Sequence, residues 1–67
     1  MKPFIHAEET SNGITMRFED GGCTTISGLN MKLINFTANT VTVKDGSGTT
    51  KLYTYNENGI FKSVRTL

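Results

Sequence analysis

Apolar and polar residues alternate along most of this 67-residue chain in short runs, and each run stops at a turn signal. Alternation with period two marks a strand that buries one face. The turn signals are Asn12-Gly13, Asp20-Gly21, Asp45-Gly46 and Asn58-Gly59. Tight hairpins need residues at φ > 0, which Gly adopts freely and Asn or Asp tolerate best. The pattern predicts seven strands, near 2–7, 13–19, 23–27, 31–36, 40–44, 49–56 and 60–66. Leu29, Leu33 and Phe36 also fit two helical turns, but Asn30, Asn35 and the β-branched Ile34 favour extended backbone there. The predicted fold is all-β: one domain over residues 1–67, a small antiparallel meander that closes into an SH3-like barrel or forms a strongly twisted sheet.

Loop lengths convert this pattern into registers, because a slip of one residue inverts the buried face. A loop of Asp20-Gly21-Gly22 sets Glu19 opposite Cys23, Met16 opposite Ile26 and Phe18 opposite Thr24. Ala38-Asn39 as a loop sets Phe36 opposite Val41 and Ile34 opposite Val43. Asp45-Gly46-Ser47-Gly48 sets Lys44 opposite Thr49 and Val41 opposite Leu52. Glu57-Asn58-Gly59 sets Tyr55 opposite Phe61 and Leu52 opposite Val64. Together these place Ile34, Phe36, Val41, Val43, Leu52, Ile60 and Val64 on one face, the expected core. Asn12-Gly13 falls in a Glu8–Gly13 connection to which no geometry is assigned. The likeness of Thr15–Gly21 to Thr40–Gly46 reflects shared strand and turn chemistry, since two matches do not make a repeat.

The same registers put Met31, Leu33, Tyr53, Tyr55 and Phe61 on the second face, beside Lys44, Lys51 and Arg65. A solvent-facing sheet surface carries mainly Thr, Ser and charge, so these aromatics call for a cover. Three covers are open: the first hairpin with Ile14, Met16 and Phe18, a second subunit, or a bound partner. Rings flanked by cations also suit single-stranded nucleic acid, with bases stacked on them. Lys44, Lys51, Tyr53, Tyr55, Phe61 and Arg65 are therefore the candidate binding face.

Composition narrows the classes further. Seven Lys and Arg against six Asp and Glu give a net charge of +1, unlike the basic excess of a phosphate binder. Cys23 is the only cysteine and His6 the only histidine, so neither a disulfide nor a structural zinc site supports the small core. Self-association is the stabiliser left open. Eleven Thr with one Pro reinforce the strand reading. The chain has no apolar run of membrane length and no signal-peptide pattern, and a lone cysteine fits a reducing cytoplasm.

Catalysis finds little to work with. Cys23 as a nucleophile has only His6 as a base, and no spacing selects that pair. Glu8-Glu9 and Glu19-Asp20 read as solvated turn charge, and the Gly-rich turns lack the helix and Lys of a phosphate cradle. Neither metal nor cofactor is expected. The predicted function is non-catalytic: a protein-interaction module of accessory type, as in phage or mobile elements, acting through the aromatic face or an exposed strand edge. Nucleic-acid binding is the alternative.

Overall fold

The computed structural model describes residues 3–67, so Lys2, where the first predicted strand begins, lies outside the described residues. The chain forms seven antiparallel strands: β1 Phe4–Thr10, β2 Gly13–Phe18, β3 Cys23–Ser27, β4 Lys32–Phe36, β5 Thr40–Lys44, β6 Thr50–Tyr55 and β7 Phe61–Thr66. They pair as a three-stranded sheet β1-β2-β3 and a four-stranded sheet β4-β5-β6-β7. Among the described residues no ladder joins the two sheets, so they face one another without closing into a barrel.

Three of the hairpins use one device. Each has a three-residue loop whose last residue is a Gly at positive φ: Gly21 (93°), Gly48 (90°) and Gly59 (78°). In each, the residue before the loop accepts from the Gly N–H and donates to the residue after the loop: Phe18 with Gly22, Asp45 with Thr49, Asn56 with Ile60. This is a type I turn closed by a Gly bulge. The Asp-Gly pairs occupy different places in it. Asp20 lies inside its loop, with its carboxylate accepting from Gly22 N–H at 2.9 Å. Asp45 precedes its loop, and its Oδ1 accepts from Ser47 N–H (3.0 Å), Ser47 Oγ (2.6 Å) and Thr49 N–H (3.0 Å). Asn56 does the same work in the last hairpin, accepting from Asn58 and Ile60 N–H.

These loops correct several expected registers. The β2–β3 loop is Glu19-Asp20-Gly21, so Met16 faces Thr24, Arg17 faces Cys23 and Ile14 faces Ile26. Every partner changes, but the shift is an even one and leaves Met16 and Phe18 facing the core. The β5–β6 loop is Gly46-Ser47-Gly48, three residues rather than four, so Lys44 faces Thr50 and Val41 faces Tyr53 rather than Leu52. That odd shift exchanges the faces of β6. Phe36 does face Val41, but a bulge at Ile34 sets Leu33, not Ile34, against Val43. Tyr55 does face Phe61, and a bulge near Lys62 then sets Val64 beside Tyr53 and Arg65 beside Leu52.

The core therefore merges the two faces that the sequence pattern separates. Val41 and Val43 share it with Met31 and Tyr55, and with Leu33, Phe36 and Tyr53 at its margin. Phe4, Ala7, Ile14, Met16, Phe18 and Ile26 of the smaller sheet cover them. Ile34, Ile60 and Val64, expected in the core, are exposed. Phe4 joins the sheets: its ring stacks on Phe18 at 5.1 Å and meets Tyr55 edge-on at 5.0 Å, and its N–H donates to Ala38 C=O. A carboxylate oxygen of Glu9 accepts from Leu33 N–H at 2.7 Å and ties β1 to the edge of β4. The sandwich is thus sewn along β1 and β4 and open along β3 and β7.

Asn12-Gly13 closes β1 onto β2, with Ser11-Asn12 between the paired Thr10 and Gly13. Gly13 sits at φ 141°, and a Cβ there would lie 1.9 Å from Ile26 C=O, which is backbone of the neighbouring strand. Gly13→Ala is therefore expected to destabilise the fold by about 3 kcal/mol or more. Urea unfolding checks this, and a loss under about 1 kcal/mol would contradict the β2–β3 packing described.

Candidate functional site

The six candidate residues divide between two faces of the larger sheet. Cross-strand partners share a face, so Lys51 (opposite Val43), Tyr53 (opposite Val41), Tyr55 and Phe61 all point toward the smaller sheet. Lys44 (opposite Lys32) and Arg65 (opposite Leu52) point the other way, to the outer surface. The rings and two of the three cations are not brought together.

Within the inward group, burial falls toward the open side. Tyr55 is 4% exposed, and burial raises its phenol pKa above the usual value, with Tyr53 adding to the effect. Tyr53 is half-buried, and Phe61 is 51% exposed. Phe61 lies 6.0 Å from the Tyr53 ring and 5.9 Å from that of Tyr55, so the three rings form one contiguous patch running out to β7. Across from them stand Thr24, Thr25, Ile26 and Ser27 of β3, and the space between is a groove of about 310 Å³. Sequence reasoning missed this wall. Its one signal is that Cys23–Ser27 is a strand with no charged residue.

β7 forms the outer lip of the groove. All six of its residues are exposed, although Phe61 and Val64 occupy inward positions. The smaller sheet does not reach that far. Leu67 N–H donates to Thr50 C=O, which fixes the phase of the β6–β7 ladder. By the alternation of an antiparallel pair, Ser63 and Arg65 bond to β6, while the N–H and C=O groups of Val64 and Thr66 point to the free edge.

Charge is segregated on this half of the molecule. Strands β4 to β7 carry Lys32, Lys44, Lys51, Lys62 and Arg65 and no acid. Lys32 and Lys44 face each other directly, a destabilising like-charge pair. The carboxylates lie in β1 and in the turns. The small net charge conceals this separation. Lys51 has a partner, with its Nζ 3.5 Å from Asp45 Oδ2.

His6 and Cys23 lie on different strands of the smaller sheet. His6 and Cys23 both pair with Arg17, so they stand two strands apart, about 10 Å by strand spacing, with Arg17 between them. No cluster of three metal-ligating side chains occurs among the described residues. No helix among them is long and apolar enough to cross a membrane.

Comparison with family models, curated proteins and solved structures finds no match. Geometry alone carries the functional argument.

The Ser47 hydroxyl, with the Thr49 and Ser47 amides and Lys51, holds the Asp45 carboxyl down from 3.8 to about 2. A group whose folded pKa lies below its unfolded value stabilises fully above the unfolded value and loses that effect as pH falls through the folded one. The Asp45 loop is thus expected to hold its full contribution above about pH 4 and to lose it toward pH 2. A carboxyl NMR titration gives the midpoint directly, and a midpoint near 4 would contradict the three-bond geometry.

Proposed function

We propose that this protein is a non-catalytic interaction module that takes an extended segment of a partner protein along β7 and over the adjoining groove. The observation that carries the reading is β7 itself. It is an edge strand with every residue exposed, and its Phe61 and Val64, on the core side, are 51% and 45% exposed. A free edge offers unpaired backbone groups to another strand, and flanking apolar positions give such pairing its specificity. Tyr53 and Phe61 form the floor of the groove and uncharged β3 its far wall.

The same geometry weakens the nucleic-acid reading. Stacking needs accessible rings beside cations, whereas Tyr55 is buried and Lys44 and Arg65 lie on the surface opposite Tyr53 and Phe61.

Two substitutions separate core from surface. Tyr55→Ser removes a buried ring packed on Phe4 and is expected to cost about 3–5 kcal/mol, enough to unfold most of so small a domain. Phe61→Ser is expected to cost about 1 kcal/mol, leaving the circular dichroism spectrum unchanged, and to abolish capture of a partner that the unmodified protein retains from cell extract. Equal capture by Phe61→Ser, or unfolding of that variant, would contradict the reading.

A further inference from the structure

Resting on that reading, we infer the chemistry of the partner segment: an extended strand, apolar on one face and acidic on the other, that adds to β7. The hydrogen-bonding phase leaves Val64 and Thr66 to bond the incoming strand. The incoming residues that share the inward face then lie beside Val64 and Phe61 and over the groove, where Ile26 and Tyr53 make apolar side chains favourable. Residues on the outward face lie beside Ser63 and Arg65, with Lys62 at the bulge. No carboxylate occurs on β4 to β7 to answer these cations, and Asp45 is engaged by Lys51 and its own loop.

Charge also decides against the simplest other occupant, a second copy of β7. In antiparallel self-pairing, residues on a common face must meet, which limits the registers. Val64 opposite its own copy gives full overlap and a hydrogen-bonded central pair, with Ser63 facing Arg65 and Lys62 facing Thr66. It also gathers Lys62 and Arg65 of both copies on one strand pair with no acid among them. Moving the centre to Arg65 opposes two guanidinium groups directly. Like charges at cross-strand positions repel, and opposite charges there attract. An acidic strand reverses the sign of every one of these contacts.

The test uses the full chain, labelled for amide NMR, and three end-blocked peptides. One is Thr-Val-Glu-Val-Asp-Val-Thr, the second has Lys in place of both acids, and the third is the acidic peptide with alternate amides N-methylated. Only the first is expected to shift the Val64 and Thr66 amides, with an affinity that falls as salt rises and drops about tenfold in Lys62→Glu/Arg65→Glu. Both substituted positions are exposed, so the fold is retained. Equal binding of the Lys peptide, or shifts confined to Ile26 and Tyr53, would overturn the acidic-strand assignment while leaving an interaction surface in place. A solution mass of twice one chain with Val64 and Thr66 protected from exchange would also overturn it, in favour of a second copy. If no peptide binds, the mass is that of one chain and no partner is retained from extract, the interaction reading itself fails.

Discussion

The arrangement of the larger sheet depends on the Asp45 carboxylate. By accepting from Ser47 and Thr49 it closes the β5–β6 loop at three residues, with Gly48 supplying the positive φ that the turn needs. A four-residue loop on the same backbone puts Leu52 opposite Val41 and sends Tyr53 and Tyr55 to solvent. The three-residue loop puts Tyr53 opposite Val41, and the tyrosines enter the core. One residue of loop length therefore decides which side of β6 meets the smaller sheet. The bulges at Ile34 and near Lys62 then bring Leu33 and Val64 onto that side.

From this follows the asymmetry of the sandwich. Phe4 bonds the turn between β4 and β5 and Glu9 bonds β4, and the fully buried side chains Ile14, Met16, Val41 and Val43 lie on β2 and β5 beside that seam. Three strands cannot cover four, so the deficit falls at β7, whose inward-facing Phe61 and Val64 stay about half-exposed. Exposed strand edges invite unwanted pairing, and in the proposed reading Lys62 and Arg65 blunt this one against copies of itself. The same cations select the charge of a strand that does add. In that reading, protection from self-association and choice of partner arise from the same two side chains.

The existence and order of the strands were legible in the sequence. Alternation and Gly-containing turns are local signals, and β3 and β5 begin and end where the pattern places them. The smaller sheet's role as a cover over Tyr55 was also open to reading, through the alternation of Ile14, Met16 and Phe18. The faces of the larger sheet were not. They turn on whether Asp45 belongs to its loop, and Asp20-Gly21 and Asp45-Gly46 look alike while standing in different loop positions. The closer structural relative of the Asp45 turn is Asn56-Glu57-Asn58-Gly59, where an Asx side chain bonds ahead in the same way. Bulges are equally silent in sequence, since Ile34 and Lys62 carry no Gly or Pro to mark them. Of the candidate residues, Tyr53, Tyr55 and Phe61 form one contiguous patch, while Lys44 and Arg65 belong to the opposite surface.

Amide hydrogen exchange along β7 tests the central claim most directly, because an open edge must alternate. Ser63 and Arg65, bonded to β6, are expected to be protected, while Val64 and Thr66 exchange at nearly the rate of an unstructured chain. Protection of Val64 and Thr66 in the isolated monomer would mean that the edge is already paired, and the account of an open β7 would be wrong.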